Sequence, residues 1–468
     1  MSFFGNFAIT AAKLSASLEP ALEITLNAAT WNGSTELNLS SAAVRARGRA
    51  YDPRVLDSGW KPITRQIDIR ASGLESLQTS VTVADSDNKL RNALLTSTDQ
   101  RNSAAAIYRV IPGNDTDYAS LFTGLLDSWE FKPGQVILNF KTDDRALKSF
   151  QPAWPYLKSE WFWMAADDVG TYTQIVYGKH DSTGLSLDHG LIPTVRAWFD
   201  ATSAWYATNI GPAELIKDVY VRTGDTTVKQ AYTTAGAGGN AYEKIYGSYA
   251  GGKIVTMIEF NGGFFPAEDA TVTCDLYGYA AVNTGVYDGA ATLTNPVAQM
   301  RHFLINFAVN HTKGYIPGNW DDSDPIIDAA SWTIAEDYAT QHGLEGSRYM
   351  TDQRTCSDIF REWLESYPMF RAFWNAEGKI ELAVLSADWP GYWNGDETSN
   401  PLIRRENELS ASFAYSMDTS DITGKISAQY LYDSAGRKFL RSLDVQDLSS
   451  NILSDTSYQF YWSPSRVV

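Results

Sequence analysis

The amino-acid sequence predicts a mainly β protein with a few helices, an α+β chain of several domains. Aromatic residues make up 13% of the 468 residues, and flat rings pack well on the pleated surface of a sheet. Short stretches of alternating or β-branched residues recur between glycine- and proline-containing turns, which is typical of strands and hairpins. Helical spacing of apolar residues is concentrated late in the chain, after about residue 291.

The chain length predicts two to four domains, and local composition divides the sequence into three segments, 1–150, 151–290 and 291–468. In the first segment, Asp85 to Asn88 is an oxygen-rich stretch that predicts a capped short helix or a turn. Strands and one hairpin are predicted from alternation and from the turn Lys132-Pro133-Gly134, at Arg65 to Arg70, Thr79 to Val83, Leu121 to Glu130 and Gln135 to Phe140.

The second segment is rich in Trp, Tyr and Gly. Its glycine-rich stretch, Gly236 to Asn240, predicts a flexible loop tip. Four strands are expected here, at Thr173 to Tyr177, Asp218 to Arg222, Lys253 to Phe260 and Ala270 to Tyr277.

The third segment holds the clearest helices. Asn295 is a candidate N-cap and Pro296 suits the first helical position. The apolar spacing that follows predicts a buried face made of Val297, Met300, Phe303, Leu304 and Phe307. Further helices are expected after Pro325, with Trp332 inward, and from Ser357 to Pro368, with Trp363 inward. Two hairpins are expected at 371–385 and 422–443.

The charge balance is acidic, with 38 Lys and Arg against 55 Asp and Glu, a net charge of −17. A protein that binds DNA without regard to sequence gains affinity by neutralising phosphates with Lys and Arg. The net negative charge of this chain therefore argues against a sequence-independent DNA-binding protein. An acidic chain can still line a channel through which DNA passes, because a repelling wall does not hold the polymer.

The sequence contains neither a signal peptide pattern nor a run of 18 apolar residues, so we expect no membrane span and assembly in a cytoplasm. Cys274 and Cys356 form no CxxC pair, which favours two reduced, buried thiols over a metal site or a disulfide framework.

No catalytic constellation is evident. The sequence has no GxSxG elbow and only five histidines, of which His302 is expected on the solvent side of its helix. The stretch GKHDSTGLSLDHG contains His180-Asp181 and Asp188-His189; an acid–base or metal site is conceivable there, but a polar surface loop is favoured because no third ligand stands at a fixed spacing. His311 and His342 belong to no motif.

Binding motifs are equally weak. AGAGGNAY lacks the Lys-Ser/Thr ending of a phosphate loop, and Asp321 to Asp324, like Asp85 to Asn88, lacks the distal glutamate of a calcium loop; helix capping or turns explain both acidic clusters. Trp161, Trp163, Trp198 and Trp205 are expected in a core or an interface rather than on a sugar platform. We therefore assign no catalytic, cofactor-binding or metal-ligating residue.

The order of segments resembles a known family, the hub proteins of tailed-phage tail tips. These proteins are related to the baseplate hub of contractile tails and to the tip-attachment protein of lambda-like phages. The segments that carry the resemblance are SLQTSVTVADSDNKLRNALL, AAIYRV, LFTGLLDSWEFKPGQVILNFKTDD, QIVYGKHDSTG, WYATNIGPAELIKDVYV, NPVAQMRHFLINF, CSDIFREWLESYPMFRAFWNAEGKIEL and SDITGKISAQYLYDSAGRKF.

This resemblance implies β-barrel-like ring domains, the first within 1–150 and the second within 291–468, with a β-rich domain at 151–290 inserted between them. It also implies a homo-oligomer, a trimer, at the tail tip of a virion. The implied partners are the distal tail protein ring, the tape-measure protein, other tail-tip or receptor-binding proteins, and DNA in transit only.

The function expected from the resemblance is that of a non-enzymatic structural hub. Such a protein forms a ring that closes or extends the tail tube, joins the distal tail ring to the host-binding tip and lines the DNA path. The alternative is a β-rich carbohydrate-binding or carbohydrate-active protein, since aromatic side chains and carboxylates are abundant in both classes.

Overall fold

The computed structural model divides the chain into two compact units, each built from separated stretches of sequence. The first comprises Met1–Ala146, Ser323–Trp332 and Met369–Ala387, and the second comprises Leu147–Asp322, Thr333–Pro368 and Asp388–Val468. The residues that the structure describes are 18–28, 31, 33–63, 74, 76–95, 98–153, 155–159, 161, 164–199, 203–232, 241–249, 253–260, 266–280, 292–309, 326–384, 425–433, 438–446 and 459–462.

The first unit contains a sheet of nine strands in the order β3-β4-β2-β1-β7-β8-β9-β6-β5. Neighbouring strands run antiparallel, apart from the parallel pair β2 and β4. The strands are β1 (Glu19–Thr25), β2 (Glu36–Ser40), β3 (Val44–Ala46), β4 (Arg49–Pro53), β5 (Val55–Trp60), β6 (Gln78–Ala84), β7 (Ala104–Val110), β8 (Tyr118–Lys132) and β9 (Gln135–Lys141).

A hairpin from much later in the sequence completes the first unit. The turn of this hairpin contacts β8, where the Ser120 hydroxyl donates to the Ala376 carbonyl at 2.9 Å. The Trp332 indole nitrogen donates to the Ile380 carbonyl at 2.9 Å and ties the preceding helix to the same hairpin. Its two strands are Phe370–Trp374 and Ile380–Val384.

The second unit contains another nine-stranded sheet, whose main path is β12-β20-β16-β17-β18-β19-β15-β14 and in which β13 also pairs with β20. Its strands are β12 (Lys179–His180), β13 (Ile192–Pro193), β14 (Val195–Phe199), β15 (Ala204–Ile210), β16 (Leu215–Thr223), β17 (Thr226–Tyr232), β18 (Ala241–Tyr249), β19 (Lys253–Phe260) and β20 (Thr271–Tyr277).

Smaller pairings accompany this sheet. Two-stranded sheets join β10 (Phe150–Gln151) to β22 (Arg354–Thr355) and β11 (Ile175–Tyr177) to β21 (Arg348–Met350). The two strands of the hairpin in the first unit are β23 and β24. A last sheet of three strands has the order β26-β25-β27. Its strands are β25 (Lys425–Asp433), β26 (Lys438–Gln446) and β27 (Gln459–Trp462).

Four α-helices are described: α1 (Lys89–Leu94), α2 (Pro296–Phe303), α3 (Ala329–Gln341) and α4 (Cys356–Ser366). A π-helical turn, Leu304–Val309, extends α2. The Asn295 side chain caps α2 by accepting from the backbone nitrogens of Val297 and Ala298 at 2.9 and 3.2 Å. This is the capping arrangement that the sequence predicts.

The predicted fold class, mainly β with a few helices, is confirmed. All five apolar residues of the predicted α2 face are buried, namely Val297, Met300, Phe303, Leu304 and Phe307. The first sheet is nevertheless open within the described residues, because its terminal strands β3 and β5 do not pair with each other. The predicted strand at Arg65 to Arg70 and the loop tip at Gly236 to Asn240 lie outside the described residues, and the three-segment domain organisation stays a prediction.

Candidate functional site

Strands β6, β9 and β8 form a sheet region with one buried face and one polar face. In β9, every second residue is apolar and buried, namely Val136, Leu138 and Phe140. Because neighbouring side chains of a strand point to opposite faces, the residues between them lie on the other face. The register places Asn139 beside Ser80 and Ser128 in one row of that face.

We call this surface the polar face and define it by nine side chains that are all partly or fully exposed: Thr82, Asp127, Ser128, Glu130, Lys132, Gln135, Ile137, Asn139 and Lys141. Its four charges cancel in two ion pairs. Lys141 Nζ lies 2.5 Å from a carboxylate oxygen of Asp127, and Lys132 Nζ lies 3.8 Å from a carboxylate oxygen of Glu130. The polar face is therefore electrically balanced.

The balance of this face contrasts with the charge of the whole chain. Residues 1–146 contain 15 Lys and Arg and 16 Asp and Glu, so the first stretch carries only −1 of the total −17. Sixteen of the excess negative charges therefore lie after residue 146. The sheet that bears the polar face thus belongs to the nearly neutral part of the chain.

The acidic stretch Asp85 to Asn88 caps a helix, as predicted. Both carboxylate oxygens of Asp85 accept from the first turn of α1, from Leu90 at 2.8 Å and from Arg91 at 2.9 Å. Asp87 accepts two hydrogen bonds from the Arg54 guanidinium, each of 2.8 Å, which holds the pKa of Asp87 below its usual range. The other stretch, Asp321 to Asp324, lies outside the described residues.

The prediction that His302 faces solvent is wrong. Its side chain is buried, and its Nδ1 lies 2.8 Å from the Tyr177 hydroxyl. The polar side of α2 is covered because two tyrosine rings pack against the imidazole, Tyr177 edge-to-face at a ring-centroid distance of 5.5 Å and Tyr279 in a tilted arrangement at 4.7 Å. Burial lowers the pKa of His302 to about 3, so the ring is neutral at pH 7.

The loop containing His180 and His189 is a surface loop only in part. His180 is buried because β12 pairs with β20, and its Nε2 donates to the Tyr177 carbonyl at 3.1 Å. Burial lowers the pKa of His180 to about 4. The Asp188 and His189 side chains form a separate pair at 2.9 Å, with Asp188 exposed. The two histidines therefore do not form a shared site.

A buried carboxylate anchors this loop to the sheet. Asp275 is fully buried in β20 and accepts from the Ser182 hydroxyl at 2.5 Å and from the Leu191 nitrogen at 3.2 Å. Burial raises the pKa of Asp275. The Ser182 hydroxyl is thus hydrogen-bonded to a carboxylate and lies 3.1 Å from the Tyr220 hydroxyl. These contacts hold the loop against β20.

The two cysteines are free and buried, as predicted. Burial raises the pKa of both thiols, in the case of Cys356 to about 12. A thiol with a raised pKa is a poor nucleophile at neutral pH. Within the described residues, no group of three His, Cys, Asp or Glu side chains is arranged to hold a metal ion.

A network of ion pairs in the second unit joins Arg348, Glu362 and Arg354, and two of these side chains, Arg348 and Glu362, are buried. Arg348 and Arg354 each donate to a different oxygen of Glu362. The Arg348 guanidinium lies 4.5 Å from the centre of the Trp363 ring, and burial lowers its pKa to about 10. The sequence patterns did not indicate this network.

Two of the four tryptophans that the sequence places in a core or an interface, Trp161 and Trp205, lie at one apolar cluster. Trp161 is buried with an edge-to-face contact to Tyr156 at 5.6 Å, and Trp205 packs against the same apolar cluster. This placement confirms the core prediction for Trp161. Trp163 and His311 lie outside the described residues. His342 is exposed, and its ring contacts Tyr338 in a tilted arrangement with a centroid distance of 4.2 Å.

No family model and no curated protein matches the chain. Among solved structures, one chain from "Virion of native gene transfer agent (GTA) particle" is similar, with a TM-score of 0.24 and 13% identity, over 56% of this chain and 80% of that chain. Similarity at this level supports no inference about function. Across the described helices, none has the length and apolar character needed to cross a membrane.

Proposed function

We propose that this chain is a non-enzymatic structural hub of a phage tail tip or baseplate. In this role, a ring of identical chains closes or extends the tail tube and joins the distal tail protein ring to the host-binding tip. The ring contacts the tape-measure protein and other tail-tip or receptor-binding proteins, and it lines the path of the DNA. The proposed location is the tail tip of the virion, after assembly in the host cytoplasm.

The observation that carries this proposal is the polar face. DNA that moves along a protein wall is held back by unpaired cations, because each neutralised phosphate releases counterions and adds affinity. The polar face instead offers hydroxyl and amide groups, and its two lysines are already paired with carboxylates. Such a surface neither binds nor strongly repels a polyanion, which suits a wall along which DNA passes.

We expect the protein to assemble as a homotrimer. The hub resemblance implies three chains, and closed symmetric assemblies are the common state of homo-oligomers. Native mass spectrometry of the purified protein, or of isolated tail tips, measures the number of chains directly. A strict monomer in assembled particles would rule out the ring. If sugars also stabilised that monomer, the carbohydrate-binding alternative would be favoured.

We expect added positive charge on the polar face to slow DNA release. The variant Ser128→Lys/Asn139→Lys adds two cations per chain in one row of that face, so a trimer gains six. By counterion release, DNA binding should then become measurable and weaken steeply with salt. Ejection from particles carrying the variant should be slower than from the parent particles.

The matched control is Thr223→Lys/Thr226→Lys, which adds the same charge at an exposed turn of the second unit, between β16 and β17. This variant should leave the ejection rate unchanged. If both variants slow ejection equally, the effect reflects net charge alone and the polar face is not the wall.

A further inference from the structure

Tyr177 connects two buried histidines that lie far apart in the sequence. Its backbone carbonyl accepts from His180 Nε2 at 3.1 Å, and its hydroxyl hydrogen-bonds to His302 Nδ1 at 2.8 Å. Tyr177 lies at the end of β11, His180 in β12 and His302 in α2. One tyrosine therefore ties α2 to both strands through two imidazoles.

Both imidazoles lie in surroundings that suit only their neutral form. His302 is enclosed by aromatic rings, with centroid distances of 4.7 Å to Tyr279, 5.5 Å to Tyr177 and 6.2 Å to Phe307. Each histidine is about 1% exposed. Moving a charge into such an environment carries a large desolvation cost, and burial accordingly lowers the pKa of both groups, to about 3 and about 4.

Most charged side chains on the elements packed around this cluster already have polar partners, and Lys179, on β12 itself, lies 5.5 Å from the centre of the Tyr277 ring. Their pairs and contacts are Arg348 with Glu362, Arg301 with Glu336, Asp181 with Lys217, and Asp275 with Ser182. An imidazolium formed beside Tyr177 would have to compete with these contacts for a carboxylate. The low pKa of each histidine therefore has a structural origin in the packing of α2, β11 and β12.

We infer that Tyr177, His180 and His302 form an acid-sensitive latch that holds α2 against β11 and β12. Protonation of His302 leaves both ring nitrogens as donors, so the Tyr177 hydroxyl can then only accept from Nδ1. Protonation of either ring also places a charge among buried groups, which is relieved when the ring reaches water. Acid therefore opens the contact between α2 and the two strands, and neutral pH closes it.

The pH range follows from the direction of the shifts. In the unfolded chain a histidine titrates near pH 6.5, whereas in the folded chain these two titrate near 3 and 4. The unfolded state thus binds more protons between these values. The latch contributes its full stability above about pH 6.5 and loses it as the pH falls, by about tenfold in the folding equilibrium constant per pH unit for each histidine.

The test measures urea unfolding and hydrogen exchange of the full chain at pH 7.5 and pH 4.5. The wild type should lose stability and exchange protection in α2 and β11 on acidification. The variant His180→Gln/His302→Phe removes both titrating rings, keeps a nitrogen donor at position 180 and an aromatic ring at position 302, and should lose most of this pH dependence. Because the readout is the difference between the two pH values, a less stable variant remains informative.

The control is His342→Gln, which removes an exposed imidazole and should keep the wild-type pH dependence. The single variant His302→Phe should remove about half of the effect, which provides a readout if the double variant does not fold. An unchanged pH dependence in the double and single variants, or an equal loss in His342→Gln, would overturn the latch.

Discussion

Replacing Glu362 by Gln should cost roughly 3–5 kcal/mol in the free energy of unfolding, the range found when one partner of a buried ion pair is removed. Glu362 is only 5% exposed and binds Arg348, which is 2% exposed, and Arg354. The amide cannot balance two guanidinium charges. The Arg348 guanidinium would remain in the core against Trp363 with no opposite charge.

Glu365→Gln is the matched control on the same helix, α4. The Glu365 side chain is 47% exposed and pairs with Arg361 one turn away, at 3.8 Å. Exposed pairs of this kind contribute about 0.3–0.5 kcal/mol, so this variant should unfold almost like the wild type. Urea titrations of the two variants separate the outcomes. Equal losses for both would mean that burial of the Glu362 network is not what stabilises the second unit.

Replacing Phe303 by Ala should also cost roughly 3–5 kcal/mol. Phe303 is fully buried on the apolar face of α2, and its ring lies 5.7 Å from Phe307 and 5.3 Å from Trp363. The substitution removes a ring from a packed aromatic cluster and leaves a cavity that the rigid neighbours cannot fill. Thermal melts or urea titrations measure the loss.

Phe150→Ala is the control, because it makes the same chemical change at a site that is 55% exposed. Phe150 also lies in the second unit, in β10. Its ring is already largely hydrated, so truncation should change stability by no more than about 0.5 kcal/mol. If the two phenylalanines tolerate truncation equally, the buried face of α2 does not hold the unit together.

Local patterns predicted the elements that depend on neighbouring residues. The cap at Asn295 and the apolar face of α2 follow from a few consecutive side chains, and the structure confirms both. Asp85 likewise caps α1 within six residues of itself. The alternation in β9, with Val136, Leu138 and Phe140 separated by polar residues and Ile137, contained the signal for the polar face.

Burial that depends on distant parts of the chain could not be predicted in this way. His302 occupies a polar position in the helical pattern, but Tyr177, 125 residues earlier in the sequence, covers it. Glu362 lies on an amphipathic helix, and its partner Arg348 comes from a strand 14 residues earlier. In both cases a residue on another element determines whether the polar side chain is exposed to water. The spacing of residues within one helix does not identify that residue.

The late hairpin of the first unit has a consequence for synthesis. The Ser120 hydroxyl bonds a carbonyl 256 positions further along the chain, so the amino-terminal sheet lacks part of its packing until residues 147–368, most of the second unit, have been synthesised. At about 5–20 residues per second, synthesis from residue 147 to residue 387 takes on the order of 12–48 s. During that time, nascent chains on one polysome carry incomplete sheets, and chaperones that shield strand surfaces have their longest opportunity to act.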